Sequence, residues 1–521
     1  MLARLRASVS DASLDRLVLI GLVLIAAVLR FVNLATRGTW DADQGHDMLV
    51  LRALVGAGEL PLLGPPTSIG DFHHGVLYYY LLAPAAALTR GDPLGVVAAI
   101  ALAGVAAVAV TWWLARSIGG PVAGAVAGLL MAVSASAVDE STFIWNPNLI
   151  AMSSSIALAA AWRAWTGGRA AWWFVAGLGV VVTMHCHVLG SVLLPPVAGL
   201  WVADARRWHP GAMRAARLRA GMLALVMLIL SYVPLGIHEL GNDFSEARAA
   251  LDFIAGGGES SAMALPIRFL VVALRVLAWP LTGLVTEAPI AALLATALVV
   301  GLLAWRVFAG VGPERTAARW FAATLAWTII ALTLAASGLA TVIPGLPNDH
   351  YHAFADPIVF AVVGLGLAAL ARWRPAGVSV PLGSAAAAGL VAILVVFNLS
   401  RQPPAVVADG GWPAARAAAA RVIAVGPSPI SLTSLPSFKS ADAMRFPLVA
   451  AGAVVLPGSA GTAGTAAQPA TTHVILCDAL FEAAIGAPCG GPAEDALAGD
   501  RALLDRFEAA PGRWVSIYLA R

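Results

Sequence analysis

The sequence is poor in charge and in cysteine. Only 12% of its 521 residues are Asp, Glu, Lys or Arg, whereas 60% are hydrophobic, and a single water-soluble core cannot bury that much apolar surface. Lysine occurs once, at Lys439, and the net charge is only +3, which excludes a nucleic-acid-binding surface. Three cysteines, Cys186, Cys477 and Cys489, provide no metal or redox framework. The composition therefore predicts an integral membrane protein.

Apolar stretches long enough to cross a bilayer recur between residues 14 and 400. A crossing needs about 20 residues, and in lipid only a helix pairs all its own backbone groups over that distance. We therefore predict an all-α polytopic membrane protein with eleven transmembrane helices, or thirteen if the apolar stretches 75–89 and 264–285 also cross. The eleven predicted crossings are residues 14–33, 92–115, 120–137, 148–165, 170–186, 188–203, 220–238, 288–305, 317–343, 357–371 and 381–400.

The distribution of charge predicts the orientation of the chain in the plasma membrane. With eleven crossings, the arginine-rich loop 206–219 shares one side with the N-terminus, and most acidic residues of the loops fall on the other. The positive-inside rule then places the N-terminus in the cytoplasm and the C-terminus outside. This segregation favours an interfacial position for stretches 75–89 and 264–285. Arg268 and Arg275, seven residues apart on one helical face, fit an interfacial helix.

Residues 401–521 differ in character from the transmembrane domain 1–400. Residues 451–470 are rich in small residues and predict a linker. Strand-like runs at Thr472–Leu476 and Trp514–Leu519, around a helical Arg501–Ala509, predict a small α/β extracytoplasmic tail. In that oxidising location Cys477 and Cys489 either form a disulfide or remain free. Helices before the linker are disfavoured by Pro403, Pro404, Pro413, Pro427, Pro429 and Pro436.

The outer loop 35–91, between the first two crossings, carries many polar side chains. They are either a solvated loop face or the lining of a site. Their position, directly after a span and before Tyr78, Tyr79 and Tyr80, favours the site. A carboxylate at the water–lipid boundary loses part of its hydration, which raises its pKa and makes it a better proton acceptor at neutral pH. The notable residues of this loop are Trp40, Asp41, Asp43, Gln44, His46, Asp47, Asp71, His73 and His74.

This loop resembles the first extracytoplasmic loop of the membrane-embedded glycosyltransferases of the C superfamily, which include the protein O-mannosyltransferases and the lipid A aminoarabinose transferases. The family signature is an arginine ending the first span, an Asp-Glu or Asp-Gln pair, a second arginine and a Pro-Leu-Tyr-Tyr-like helix. These positions fall on Arg30, Asp43 with Gln44, Arg52, and Val76–Tyr80. Gln44 stands where the family commonly has Glu, so the pair carries one charge fewer.

Two further outer loops are similar to loops of the same family. Residues 134–150, SASAVDESTFIWNPNLI, correspond to the second outer loop, in which an acid or Asn opens the next span. Residues 347–360, PNDHYHAFADPIVF, resemble the His-Tyr-containing loop before the penultimate span. The residues that these loops contribute are Asp139, Glu140, Asn146, Asn148, His350 and Tyr351.

The resemblance implies transfer of one sugar from a polyprenyl-phosphate donor to a protein, lipid or glycan acceptor on the outer face, with inversion at the anomeric carbon. Asp43 is the candidate general base, because a carboxylate must take the proton of the acceptor hydroxyl. Arg52, Arg268 or Arg275 would meet the departing phosphate. The other expected substrate-binding residues are Asp41, Gln44, Asp47, His73, His74, Tyr79, Asp139, Glu140, Asn146, Asn148, His350 and Tyr351.

Several of these residues have a second interpretation. His73 and His74 either contact substrate or cap the helix that follows, and Tyr78–Tyr80 either contact sugar or form an interfacial aromatic belt. His185 and His187, which flank Cys186, fit a helix-end pair. A divalent cofactor, Mg or Mn, is possible in this family. The ligands available to it would be Asp43, Asp139, Glu140, His185 and His187, and their spacing matches no metal template.

Two other classes of protein compete with the enzyme. A secondary transporter would also have about a dozen spans, but transporters carry polar, broken helices at the membrane midplane and often two related halves. The sequence has no internal repeat, and its acids cluster in outer loops. A non-catalytic component of an envelope polysaccharide assembly system differs from the enzyme only in whether Asp43 is needed for turnover.

Overall fold

The computed structural model describes residues 2–67, 72–207, 211–256, 263–336, 351–374, 381–437, 439–456 and 470–519, with side chains from Ser13 onward. Asp71 and His350 lie outside the described residues. Helices account for most of these ranges up to residue 399, as the composition predicts, and strands appear only after it.

Thirteen α-helices precede residue 263 in the described ranges. In chain order they are α1 (Leu2–Phe31), α2 (Leu34–Arg37), α3 (Ala42–Arg52), α4 (Leu77–Leu88), α5 (Pro93–Gly119), α6 (Pro121–Val133), α7 (Ala135–Asp139), α8 (Ile150–Trp165), α9 (Ala171–Cys186), α10 (Leu194–Arg206), α11 (Gly211–Ser231), α12 (Val233–Gly241) and α13 (Ser245–Ala255). A π-helical turn, Ala53–Ala57, extends α3, and 3₁₀ turns at Asn146–Leu149 and Val188–Leu193 precede α8 and α10.

The remaining helices and the strands complete the chain. They are α14 (Leu265–Thr282), α15 (Pro289–Ala309), α16 (Gly312–Ala335), α17 (Asp356–Arg372), α18 (Leu382–Leu399), α19 (Gly411–Val425), β1 (Ile430–Leu435), α20 (Asp442–Ala450), β2 (Thr472–Asp478), α21 (Glu482–Ile485), α22 (Pro492–Ala498), β3 (Ala502–Ala510) and β4 (Arg513–Leu519). A 3₁₀ turn, Ala353–Ala355, leads into α17.

Eight helical stretches in the described ranges are long and apolar enough to cross a membrane. Among them α17 lies at the centre of the bundle, with almost every residue buried against α6, α5 and α15. The others expose apolar side chains such as Leu223, Ile290 and Ile393, as expected of surfaces that face lipid tails. The eight are Pro93–Gly119, Val188–Arg206, Gly211–Gly241, Leu265–Thr282, Pro289–Ala309, Gly312–Ala335, Ala353–Arg372 and Leu382–Leu399.

The two stretches predicted to lie along the interface differ from each other. Helix α4 has 12 residues, about 18 Å, which is too short to span the apolar core. Helix α14 has 18 residues, is as apolar as the spans and packs against α15, α16 and α17. The count of eleven crossings and the orientation of the chain both stay predictions.

The C-terminal region forms a four-stranded sheet in the order β1-β2-β4-β3. The β1–β2 pair is parallel, and the other two pairs are antiparallel. The predicted strands at Thr472–Leu476 and Trp514–Leu519 are confirmed as β2 and β4, but the helix predicted for Arg501–Ala509 is wrong, because this segment is the edge strand β3. The prediction that prolines disfavour helices before the linker is also wrong for α19, since its prolines stand in the first turn and after the end.

Cys477 and Cys489 form a disulfide, which confirms one of the two expectations for this pair. The C-terminal region is in direct contact with the first outer loop, because α20 packs against α3. A Cβ atom added to Gly45 of α3 would lie 2.0 Å from the carbonyl oxygen of Asp442. The two backbones therefore meet without room for a side chain between them.

Candidate active site

The candidate site is built around the first turn of α3. Asp41 is the N-cap of this helix, and its backbone N–H donates to Oε1 of Gln44 at 2.8 Å, as in a capping box. The Nε2 of buried Gln44 donates to the carbonyl oxygen of Ile144 at 2.7 Å. Gln44 thus links the first outer loop to the second, and both ends of its amide are used within the protein.

Asp43, in the same turn, is the only one of the three carboxylates in residues 41–47 that is exposed. The surrounding protein displaces part of its hydration, and this desolvation, together with the charge of Asp41, raises the pKa of Asp43. Lys439, His46 and a hydrogen bond from Trp145 act in the opposite direction. A reachable carboxylate with a raised pKa has the two properties that a general base needs.

Asp47 lies one helical turn further along α3 and is fully enclosed. Its two oxygens accept hydrogen bonds from the hydroxyls of Tyr78 and Tyr79, each at 2.8 Å. Burial raises the pKa of Asp47 to about 7, although His46 and the two tyrosines favour the charged form. The tyrosines predicted as sugar contacts or as an aromatic belt are therefore buried partners of Asp47, and Tyr80 alone is half-buried, with its hydroxyl on the carbonyl oxygen of Pro61.

Asp41 is held by two cations from the C-terminal region. Lys439 Nζ lies 2.5 Å from its Oδ2, and Arg513 Nη2 lies 3.3 Å from its Oδ1. Burial opposes ionisation, but Arg513 and Lys439 outweigh it and hold the pKa of Asp41 below its usual range. His46 makes a second contact with this region, through Nδ1 at 3.2 Å from Oδ2 of Asp442.

The second outer loop is fastened by its side chains. Asn146 Nδ2 donates to the carbonyl oxygen of Cys186, and Asn148 Nδ2 donates to that of Phe143 at 2.8 Å. Both amides, predicted to bind substrate, are buried and turned into the protein. Buried Arg30 donates to Ser141 Oγ and to backbone carbonyls at the end of α6 and in α7. Arg30, in the last turn of α1, thus positions this loop.

Asp139 and Glu140 form the acidic part of the second loop. Asp139 is half-buried and Glu140 is buried. Burial raises the pKa of Asp139 to about 6, and the charge of Arg37 partly offsets this. Asp139 is therefore the second carboxylate outside the spans, after Asp43, with a raised pKa and partial access to solvent.

His74 and His187 lie at the start of the 3₁₀ turn Val188–Leu193, where both accept hydrogen bonds from its backbone. Nδ1 of His74 accepts from the N–H of Val188 at 3.3 Å, and Nδ1 of His187 accepts from that of Leu189 at 3.2 Å. Their rings lie 4.7 Å apart, and Tyr351 meets the His187 ring edge-on at 5.5 Å. Burial and the neighbouring histidines hold the pKa of His74 well below its usual range. His74 is therefore neutral at physiological pH.

His73 and His185 are also engaged within the protein. The backbone N–H and Nδ1 of His73 lie 2.7 and 3.0 Å from the carboxylate oxygens of Glu246, at the start of α13. His185 accepts from the N–H of Leu77 at 3.3 Å, which caps α4, and its Nε2 lies 2.8 Å from Ser231 Oγ. His185, and not His74, therefore caps α4, whereas His74 and His187 cap the 3₁₀ turn Val188–Leu193.

The cations predicted to meet the phosphate occupy two elements. Arg52 is exposed at the end of α3. Arg268 and buried Arg275 lie on α14, and within the described residues Nε of Arg268 is buried with no hydrogen-bond partner. Near the end of α14, the carbonyl oxygens of Pro280 and Trp279 accept hydrogen bonds from the hydroxyls of Ser134 and Ser136. These two serines lie at the start of α7. Arg275 is thus about one turn of helix from the contact with the second outer loop.

A divalent metal finds no prepared cluster in the described ranges, where no three His, Cys, Asp or Glu side chains converge. Of the carboxylates in the first loop, Asp47 is closed by tyrosines and Asp41 by two cations. These two carboxylates are therefore already used within the protein.

A cavity of about 210 Å³ lies beside Gln44. It is enclosed by the first turn of α3, the start of α5, the second outer loop and α19. Its lining is mostly apolar and includes Trp40, Phe143 and Trp412. Asp43 is not among the lining residues. This cavity therefore adjoins the candidate base but does not contain it.

Sequence reasoning did not identify the partners that the C-terminal region supplies. Lys439 and Arg513 are separated from Asp41 by about 400 and 470 residues, and no local pattern connects them. The one available signal was composition, because Lys439 is the only lysine of the chain. Trp145, which hydrogen bonds to Asp43, lies in the second outer loop, residues 134–150, but was not among the residues predicted for the site.

Part of the chain matches a known protein family. Residues 73–232 match the profile of the family described as dolichyl-phosphate-mannose-protein mannosyltransferase. No curated protein matches the chain in sequence. The matched segment covers α4 to α11 with the second outer loop, and it begins after Asp43.

Solved structures extend the similarity to nearly the whole chain. ArnT from Cupriavidus metallidurans bound to undecaprenyl phosphate superposes with a TM-score of 0.59 at 15% identity, over 96% of this chain and 97% of ArnT. The apo form of ArnT gives a TM-score of 0.57. The oligosaccharyltransferase AglB from Archaeoglobus fulgidus, in complex with an inhibitory peptide and a dolichol-phosphate, gives 0.53 at 12% identity, over 91% of this chain and 70% of AglB. The family profile and these structures confirm the resemblance to the membrane-embedded glycosyltransferases of the C superfamily, whose fold this chain has.

Proposed function

We propose that the protein transfers a single sugar from a polyprenyl-phosphate-linked donor to an acceptor on the outer face of the membrane, with inversion at the anomeric carbon. The observation that carries this proposal is Asp43, an exposed carboxylate with a raised pKa at the start of α3. Support for the donor comes from the similar structures of ArnT with undecaprenyl phosphate and AglB with a dolichol-phosphate.

The reaction is one displacement. The oxygen of an acceptor hydroxyl attacks the anomeric carbon of the donor sugar as the bond from that carbon to the phosphate oxygen breaks. The hydroxyl proton passes to the carboxylate of Asp43, and the polyprenyl phosphate leaves with the bonding electrons. Attack from the side opposite the leaving phosphate inverts the anomeric centre.

The departing phosphate gains negative charge and needs a cation at the membrane interface. Arg268 is suited to this role, because its Nε is buried and has no hydrogen-bond partner within the described residues. An unpartnered buried donor is costly, and a phosphate oxygen would satisfy it. Arg275, seven residues later on α14, and exposed Arg52 are the other candidates.

The test uses purified full-length protein, radiolabelled undecaprenyl-phosphate-linked sugars and extracted envelope fractions. Transfer of label to an envelope component should accompany release of undecaprenyl phosphate. Asp43→Asn keeps the size of the side chain but removes its proton affinity, so transfer should fall by about 10² to 10⁴. Asp505→Asn, which alters an exposed carboxylate paired with Arg421 on the C-terminal sheet, is the matched control.

Two results would contradict the proposal. Normal turnover in Asp43→Asn, with loss in Asp139→Asn or Glu140→Gln, would move the base to the second outer loop. A wild-type protein that moves intact solutes across vesicles but releases no polyprenyl phosphate would favour the transporter.

A further inference from the structure

The C-terminal region and the first outer loop form one packed unit. Trp40, which immediately precedes the N-cap of α3, donates from Nε1 to the carbonyl oxygen of Ala443 at 2.8 Å. Its ring is 4.5 Å from Trp412 of α19 and 5.7 Å from Phe446 of α20. The loop that carries Asp43 is therefore fixed by side chains that follow the last membrane helix.

Asp41 is the electrostatic centre of this contact. Lys439, which follows β1, and Arg513, at the start of β4, both pair with it. Arg513 also donates from Nη1 to the carbonyl oxygen of Trp40 at 2.7 Å. Lys439 lies 3.5 Å from Asp478, the residue after disulfide-bonded Cys477. Both cations are thus anchored in the sheet that they connect to the loop.

These charges act on the candidate base. The titratable groups that influence Asp43 from its own loop are Asp41, His46 and Asp47, and the C-terminal region contributes Lys439. Asp41 disfavours the ionised form of Asp43, and Lys439 favours it. Lys439 therefore favours the ionised form of both carboxylates, of Asp41 through a direct ion pair and of Asp43 through its charge.

The geometry points to Lys439 and Arg513 as positioning residues of the reaction centre, which hold Asp41 and keep Asp43 ionised for proton transfer. This inference rests on the proposed role of Asp43 as the base. It assigns to the C-terminal region a part in the chemistry, although none of its residues is proposed to touch the reacting atoms. The largest effect is expected from Lys439, because it acts on both carboxylates.

Two measurements on the full-length protein test this. The first is the pH dependence of carbodiimide modification of Asp43, read at residue level by mass spectrometry, since the reagent reacts with protonated carboxyls. The second is the pH profile of sugar transfer. In Lys439→Met the midpoint of Asp43 modification should rise by about one pH unit. Transfer in the acid limb of the profile should fall by up to about tenfold and recover at higher pH. Lys439→Arg should restore both profiles.

The matched control is Arg421→Ala, which removes a cation from the same region but from an exposed pair with Asp505. It should leave both profiles unchanged. In a double variant with Asp41→Asn, Lys439→Met should shift the midpoint much less than it does alone, because Asp41 is the partner that holds the ammonium group of Lys439 at the first turn of α3. An unchanged Asp43 midpoint in Lys439→Met overturns the inference, and so does a loss of transfer at every pH that Lys439→Arg does not rescue.

The modification assay keeps the two proposals separate. If wild-type protein transfers no sugar, the proposed function fails, whereas the midpoint of Asp43 still reports whether Lys439 controls it. If transfer requires Asp43 but the midpoint of Asp43 modification is unchanged in Lys439→Met, the inference alone fails.

Discussion

The two outer loops that meet at the candidate site use their polar side chains differently. In the first loop the three carboxylates have three separate environments: Asp41 is ion-paired, Asp43 is open to solvent, and Asp47 is enclosed by tyrosines. In the second loop Asn146 and Asn148 are used to fasten backbone carbonyls. The polar residues therefore leave one carboxylate open to solvent in the first loop and fasten the backbone in the second.

The largest expected difference concerns turnover. Asp43→Asn should lower transfer by about 10² to 10⁴, whereas Asn148→Ala should change the rate per folded molecule by less than about tenfold, because its amide already binds Phe143. Single-turnover assays with the labelled donor would measure both. Equal losses in the two variants would remove the distinction between the loops and return Asn148 to the substrate-binding set.

The next effect is the dependence of stability on pH. The pKa of Asp47 is raised to about 7 in the folded protein from an ordinary value of 3.8, so folding favours its protonated form. The contribution of Asp47 to the free energy of unfolding is therefore largest below about pH 4. It is lost as the pH rises through 7, and the free energy of unfolding falls by up to about 1.4 kcal/mol per pH unit.

Thermal unfolding between pH 5 and 8 would show this dependence. Asp47→Asn should flatten it, because the amide cannot ionise. Asp505→Asn, at an exposed site, should not. A wild-type midpoint that rises across this range would show that Asp47 stays ionised between its tyrosines.

The disulfide should contribute a comparable but local stability. Cys477 and Cys489 are separated by 12 residues, and closing such a loop stabilises by about 3 kcal/mol in the chain-entropy model. Replacing both by Ser should make the C-terminal region more sensitive to protease in urea while the membrane helices remain intact. Cys186→Ala, in the membrane domain, is the control. Mass spectrometry of unreduced protein that found two free thiols would contradict the pairing.

The smallest expected effect tests the second loop directly. Asn146→Ala leaves the carbonyl oxygen of Cys186 without its buried donor, which should cost about 1 to 3 kcal/mol. The thermal midpoint should fall, and the pH profile of transfer should keep its shape. A changed profile with an unchanged midpoint would instead indicate that Asn146 acts on the reaction.

Apolar segments long enough to cross a bilayer were predictable from the sequence, because in lipid their backbone has no alternative to a helix. The secondary structure of the C-terminal region was less predictable. Residues 501–509 contain Ala, Leu, Glu and Arg, which favour helices, yet pairing with β4 makes them an edge strand; tertiary contacts here overrode local propensity.

The candidate site was also only partly predictable from the sequence. The prediction of Asp43 as the base rested on its position after a span and on the family pattern. The cations on Asp41 did not, because Lys439 and Arg513 approach only after the chain has folded. Nor does a sequence tell whether a loop amide such as Asn148 points toward a ligand or toward its own backbone.

The single lysine of the chain has a practical consequence. Among the side chains, Lys439 carries the only primary amine in 521 residues, so an amine-specific acylating reagent has one side-chain target besides the chain's α-amino group. Acylation would cancel the charge that binds Asp41, and occupancy of that ion pair should slow the labelling. A membrane-impermeant version of the reagent, applied to intact cells, would also report on which side of the bilayer this residue lies.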